Sequence, residues 1–449
     1  MAAVLAAGDE IRLLFTGDIL LARGVRARIE RTGRSPFEPF TGLFRRAAFV
    51  AGNFEGVFGP SEECGAPVRM CFATPPAFAR LLGLAGFRAV SLENNHSGDL
   101  GSTHWDNTRR ILRAAGLIPL DFEGSPHFAN LGEVTVSLIA FNRVPGRSRA
   151  TVAVPSVELA QKLRLARRLS HLVVVFVHWG REYEPGPNSS QKQAASWMVR
   201  HGADVIIGHH PHVVQPPECL ENRPVFYSLG NFVFDQRDPA TKLGMIADLG
   251  IAQGRLRARA LATRIPPGSP FPQPAGEHEQ ATAMLAGCTV ELGSPMRAGD
   301  WELRAESRAS GVLLQGRHAS GEQWESPALP LAAIEAAPLA GPGTETLLLT
   351  LERRHSPLDG ERGPRPYVYR ITRRGLVPLW RGSGLAWPLA DGALLDDGTL
   401  CALHRTDSFL APDASAPAAR VAAYRWNGFG FSQPGNSELE QNCRILFER

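Results

Sequence analysis

The sequence contains no CxxC pair and no dense cysteine framework; its six cysteines, Cys64, Cys71, Cys219, Cys288, Cys401 and Cys443, are scattered along the chain. That excludes small disulfide scaffolds and zinc clips of the usual spacing, and it predicts reduced, structural thiols and with them a cytoplasmic chain. No stretch approaches the ~18 apolar residues that a membrane-spanning helix requires, so no membrane span is expected. The opening run MAAVLAAGDEIRLLFTGD has a short apolar segment with no basic residues before it, so no signal peptide is read there. A trimmed N-terminus would leave room for association with the cell envelope. Charge of one sign is missing as well. With 48 basic and 44 acidic residues the net charge is +4, too balanced for a nucleic-acid footprint, and a polyanionic or phosphate-bearing substrate would have to be met by local charge.

What is present reads as ordinary globular protein, 44% hydrophobic and 20% charged, and a length of 449 residues exceeds what one core usually serves. From Ile11 to about Tyr227, short β-rich apolar runs alternate with helical patterns, the signature of an α/β domain. Strands are expected at Ile11–Thr16, Phe49–Ala51, Ala89–Leu92, Val134–Phe141, Leu172–Val177, Asp204–Ile207 and Val225–Ser228. Helices are expected at Pro76–Leu84, His104–Ala115, Val157–Leu169 and Gln191–His201. The Pro-rich stretch at 264–276 reads as an extended connector, followed by a short helix at His278–Leu285. Beyond it the texture becomes all-β, giving an expected division into domains 1–297 and 298–449. Within the second, Tyr367-Val-Tyr-Arg followed by Gly375 faintly echoes Ala423-Tyr-Arg-Trp followed by Gly428, as propeller-like or sandwich repeats would.

Every expected strand except Val134–Phe141 runs into a polar cluster at its C-terminal end, where loops of an α/β sheet converge on ligands. Gly208-His-His-Pro-His212 places two imidazoles, His210 and His212, one residue apart, and neutral imidazole is a common ligand for transition metals. His178-Trp-Gly180 leaves a strongly apolar strand, with Glu182 and Tyr183 available close behind for substrate. In Asn94-Asn95-His96, an amide oxygen can ligate a metal while His96 gives a proton to a leaving group and Asp99 orients it. Asp18 and, in Asn53-Phe-Glu55, Glu55 supply carboxylates for divalent cations, while Asn53 is read as a substrate contact. Ser228 and Asn231, in Tyr227–Asp235, are read either as substrate contacts or as an ordered turn. Trp179 and Phe234 read as core, and His171 and His201 carry no role.

That order of clusters is similar to the metallophosphatase (calcineurin-like phosphoesterase) superfamily. The wording of Thr16-Gly-Asp18, Asn94-Asn-His-x-x-Asp-x-Gly101, His178-Trp-Gly-x-Glu-Tyr183 and Tyr227-Ser-Leu-Gly-Asn-Phe-Val-Phe-Asp235 resembles its CapA branch, tied to poly-γ-glutamate capsule synthesis. The resemblance spans roughly residues 10–295. It implies a four-layer α/β/β/α sandwich holding one or two divalent metals (Mn, Fe, Zn or Mg). Carried over to this sequence, Asp18, Glu55, Asn95, His178, His210 and His212 are the ligands and His96 is the catalytic acid or base. Two departures stand out: the superfamily's Asp-x-His is here Asp18-Ile-Leu20, and its bridging aspartate is replaced around Asn53 and Glu55. The implied activity is a metal-dependent hydrolase acting on a phosphoester, a γ-glutamyl polymer or a related peptide. The alternatives are a metal-dependent peptide epimerase and a non-catalytic capsule-assembly scaffold.

Overall fold

The computed structural model describes residues 10–64, 70–146, 150–308, 311–327, 333–340, 345–355, 362–382, 385, 389–404 and 420–447. Residues 1–9, on which the reading of the leader rests, lie outside them. The chain forms two compact units: residues 1–156 with 172–292, and residues 157–171 with 293–449.

In the first unit the seven expected strands are present as β1 (Ile11–Ile19), β2 (Phe49–Phe54), β3 (Ala89–Ser91), β4 (Val134–Asn142), β5 (Leu172–His178), β6 (Val205–His209) and β7 (Arg223–Phe226); an eighth, β8, is Asn231–Val233. The larger sheet runs 273–277, 255–264, 243–252, β1, β2, β3, 118–120, with β8 also paired to β1. Its β1–β2–β3 portion is parallel, whereas β1 meets Leu243–Ala252 in antiparallel register. The smaller sheet orders Glu218–Leu220, β7, β6, β5, β4 and His127–Leu131, with β7 through β4 parallel.

Period-two alternation along these strands separates two cores. Leu13, Phe15, Ala51 and Ala89 of the larger sheet share one core with Leu138, Val174, Phe176 and Ile207 of the smaller, so the two sheets pack face to face. The alternate residues Leu14, Val50 and Val90 face a second core closed by Val25 and Ile29 of helix α1 (Arg23–Thr32), Leu82 of α2 (Ala79–Ala85) and Leu112 of α3 (Ser102–Ala114). Parallel strands covered on both faces have no solvent side, which explains their uninterrupted apolar runs. The Pro-rich stretch does not separate the units. Its end forms the strand Gln273–Glu277 on Arg255–Arg264, and the following helix, Glu279–Met284, is capped by the His278 ring.

Among the described residues, the second unit holds three four-stranded antiparallel sheets, each built from strands consecutive in sequence. The faint sequence echo falls at equivalent places, on Arg362–Thr372 and Arg420–Trp426, the third strands of the second and third sheets. These two sheets share a core through Leu349, Val368, Leu394 and Tyr424. Helix α4 (Val157–Leu169) belongs to this unit, which a contiguous boundary at 297 does not anticipate. The reason is polar: Gln161 donates to the Gly392 carbonyl at 2.9 Å, and Arg164 and Arg168 converge on the fully buried Glu335. Burial outweighs the two guanidiniums and pushes the Glu335 carboxyl above its usual range.

The expectation of reduced thiols is overturned. Cys64–Cys71, Cys219–Cys288 and Cys401–Cys443 are disulfides with Cα separations of 5.9, 5.6 and 5.2 Å, and no cysteine among the described residues is free. Separations of 69 and 42 residues carry no local spacing signal, because proximity is created by the fold. The argument for a cytoplasmic chain falls with the thiols, since structural disulfides persist in oxidising compartments. No helix among the described residues is long and apolar enough to cross a membrane. Reduction under native conditions is expected to lower the free energy of unfolding by about 2–4 kcal/mol per bridge, read from urea unfolding with and without a phosphine reductant. Unchanged midpoints would show that the bridges contribute nothing.

Candidate metal centre

Strand register builds the centre. Asp18 on β1 lies opposite Asn53 on β2 and Asn231 on β8, while His209 on β6 lies opposite His178 on β5. Strands β1 and β2 extend three residues past their expected ends, so Asp18 and Asn53 project from hydrogen-bonded ladders rather than from loops. Two glycines permit the required backbone approach. A Cβ at Gly17 would overlap the Gly230 carbonyl, and one at Gly208 would overlap that of Tyr227. Gly208→Ala is therefore expected to cost about 1–3 kcal/mol in thermal unfolding and to reduce metal uptake through displaced neighbours. A variant with parental stability would show that the strands can separate.

A chain of amides ties the strand ends together. Asn94 donates to Asn53 Oδ1 (3.1 Å) and to the Phe54 carbonyl (2.8 Å), and Asn53 donates to Asp18 Oδ1 (2.8 Å). The His96 N–H returns to Asn94 Oδ1 at 3.1 Å. With Asn94 committed to the turn, its neighbour Asn95 presents Oδ1 at 2.9 Å from His178 Nε2. The sequence alone gives Asn94 no role of its own.

His210 and His212 have φ values of +95° and +60°, sparsely populated for residues with a Cβ and concentrated at sites where surrounding structure enforces them. The His210 N–H reaches Asp18 Oδ2 at 3.3 Å, and the Tyr183 N–H holds the Pro211 carbonyl at 2.9 Å. His212 is central: Nδ1 lies 3.0 Å from Asn231 Oδ1 and 3.3 Å from Asp18 Oδ2, and Nε2 lies 3.7 Å from Glu55 Oε1.

Electrostatics separates these groups. Burial pushes the Glu55 carboxyl up to about 8 despite the charge on His212. Burial also opposes the charge on His212, but Glu55 and Asp18 prevail and raise it to about 9. Asp18 is held below its usual value against burial, chiefly by its hydrogen bond with His212. Burial and the charge on His212 press His210 down to about 4, and burial with the other imidazoles keeps His178 neutral. Both Glu55 oxygens and His210 Nδ1 are buried without a hydrogen-bond partner among the described residues. Such atoms are costly to leave unsatisfied. Ligand atoms of Asp18, Glu55 and His212, and those of Glu182, His210 and His212, form two groups, each within 4.8 Å. Carboxylate, imidazole and amide oxygens together suit a divalent cation such as Mn, Fe or Zn, so this donor set fits a metal.

Beside these candidate ligands, His96 Nδ1 lies 2.9 Å from Asp99 Oδ2, which also accepts the Phe72 N–H at 2.7 Å. The Phe72 ring stacks on His96 with centroids 3.6 Å apart. Phe72 belongs to no motif and gives no signal in the sequence. The same holds for Arg23, which lies over the Phe72 and Phe234 rings at 4.6 and 5.7 Å.

The expected substrate contacts are placed less uniformly. Glu182 and Tyr183 are exposed, and the Tyr183 hydroxyl accepts from Gln236 at 3.2 Å. Asn53 is buried within the amide chain. Ser228 is fully buried, donating to the Val213 carbonyl and accepting the Gly230 N–H, so it turns no face to a ligand. Asn231 is spent on orienting His212 and on Gln236.

Residues 12–236, half of the chain, match the family described as bacterial capsule synthesis protein PGA_cap. The chain belongs to this family. All of the clustered residues above fall inside the matched stretch. Among curated members, the PGA biosynthesis protein CapA of Bacillus subtilis (strain 168) is 32% identical over 245 residues, covering 51% of this chain and 64% of that protein. The capsule biosynthesis protein CapA of Bacillus anthracis is 28% identical over 294 residues, covering 59% of this chain and 70% of that one. The chain thus spans less than two thirds of the B. subtilis protein. Among solved structures, TT1561 of Thermus thermophilus matches at 12% identity with a TM-score of 0.31 over 53% of this chain and 94% of that one.

Proposed function

We propose that this PGA_cap family member is a metal-dependent hydrolase acting on a phosphoester or on a γ-glutamyl or peptide-type bond, in the metabolism of poly-γ-glutamate capsule. The four-layer sandwich implied by the resemblance belongs to the same proposal. So does a location outside the cytoplasm, which the three disulfides support. The observation that carries the reading is that both Glu55 oxygens and His210 Nδ1 are buried without a hydrogen-bond partner among the described residues, in two candidate ligand groups that share His212. A binding scaffold has no use for such a convergence.

Asp18, Glu55, Asn95, His178, His210 and His212 would hold the metal. Bound there, it supplies Lewis acidity and lowers the pKa of water. The remaining steps fall to side chains. Asp99 on Nδ1 of His96 fixes the ring's tautomer and leaves Nε2 to protonate a leaving group. Phe72 restrains the ring by stacking. Asn231 and Asp18 orient His212, as partners behind metal ligands commonly do.

The test is turnover of a generic phosphodiester and of a γ-glutamyl peptide by protein loaded with manganese, compared with chelated protein. Metal-dependent hydrolysis of either supports the proposal and selects the bond. A metal-loaded protein that hydrolyses neither, over a range of pH, sinks it. Solvent deuterium incorporated into an unhydrolysed peptide would instead select epimerisation.

A further inference from the structure

A cleft of about 760 Å³ lies between helix α1, the segment 235–242 and the turn Pro267–Pro270. Its polar lining is almost wholly cationic: Arg28 and Arg31 from the helix, Arg237 and Lys242 from the segment 235–242. None of these four has an ion-pair partner among the described residues, and Arg28 Nε is buried without a hydrogen-bond partner. The one acid in the lining, Asp235, is already committed to the Arg23 guanidinium and, at 2.9 Å, to the Gly24 N–H. The whole chain carries only +4, so this is a local concentration of charge.

A chain of contacts leads from the cleft toward the metal centre through its lining residue Asp235. Arg23, paired with Asp235, covers Phe72 and Phe234; Phe72 stacks on His96, and the Phe234 ring lies 4.8 Å from that of His212. We propose that this cleft binds an extended polycarboxylate, holding the anionic chain there while the bond to be cleaved sits at the metal centre. The second half of that statement rests on the hydrolase reading; the first does not.

Spacing favours a chain of separated charges over one compact anion. Arg28 and Arg31, three apart on α1, stand roughly 5–6 Å from each other, and Arg237 and Lys242 join the lining from a separate segment of the chain. Cations drawn from two segments repel one another until anions spaced along a ligand lie between them. A single phosphate would call for donors converging on one point. Guanidinium forks also match carboxylates two-pronged, giving orientation as well as attraction.

The experiment is fluorescence anisotropy of a labelled oligomer of γ-linked glutamate with the full chain, stripped of metal by chelation so that nothing is turned over. Binding that weakens as salt rises is expected. Arg28→Gln/Arg31→Gln should bind about tenfold more weakly, and Arg28→Lys/Arg31→Lys should recover part of the loss. A second pair, Arg237→Gln/Lys242→Gln, samples the separate segment should the helix variant fail to fold. Tripolyphosphate of matched charge should compete less well. Absence of binding at low salt, or unchanged affinity in a folded cleft variant, overturns the proposal, and equal competition by tripolyphosphate overturns its assignment to carboxylates. A parent that binds the oligomer yet hydrolyses nothing leaves the cleft standing and removes the hydrolase.

Discussion

The His210→Ala/His212→Ala protein should retain less than about a tenth of the metal held by its parent after dialysis, measured by elemental analysis. His212 is the side chain on which the centre turns, facing Asp18 and Asn231 through Nδ1 and Glu55 through Nε2. Its removal takes a donor from both candidate ligand groups, and the loss of His210 takes a second from one of them. The fold is expected to survive. With the imidazolium gone, Glu55 can remain protonated, since burial already holds its carboxyl at about 8. His210→Ala alone serves as the check, because it leaves the Asp18–His212 contact in place and should lower metal content without lowering the melting temperature. Full metal content in the folded double variant would move the ligand set elsewhere.

Replacing His96 with Ala should spare metal content and reduce kcat about 10²–10⁴-fold, the usual contribution of a positioned proton donor. No ligand contact is lost, because the His96 ring meets Asp99 and Phe72 rather than Asp18, Glu55 or His212. The backbone N–H that closes the Asn94 turn remains as well. Asp99→Asn should give a smaller loss, since the amide still accepts the Phe72 N–H but holds the His96 ring less firmly than the carboxylate does. A His96→Ala enzyme with undiminished turnover removes this residue from the chemistry, whatever the metal does.

How much of this was legible in the sequence follows from the range of the forces involved. Asp18, His178, His210 and His212 were legible as candidates because each follows a buried apolar run and the clusters occur together in one order; singly, such a residue is often just a satisfied strand end. The seven strands were legible for the same reason. Phe72 was not, since its importance lies in a stacking contact and one backbone hydrogen bond made across residues 72–99, neither of which leaves a local pattern. Ser228 and Asn231 looked available by type, but the fold uses Ser228 on backbone and Asn231 on His212 and Gln236. The disulfides escaped because cysteine spacing records sequence distance while a bridge needs only spatial distance. Helix α4 was read correctly as a helix; its allegiance is decided by Glu335 and Gly392, more than 160 residues downstream.

That allegiance bears on how the chain can be assembled. The polypeptide leaves the first unit after β4, contributes one helix to the second, and returns at β5 carrying His178. When residues 157–171 emerge from the ribosome, the strands that supply their partners have not been synthesised. Arg164 and Arg168 wait for Glu335, and the segment between β4 and β5 is completed only when the C-terminal region arrives. A truncation at residue 292 would therefore remove nothing from the metal centre, yet would leave the connection leading into one of its strands without its buried counter-charge. The helix between β4 and β5 thus finds its buried counter-charge only in the last third of the chain, which makes that region a late partner of the first.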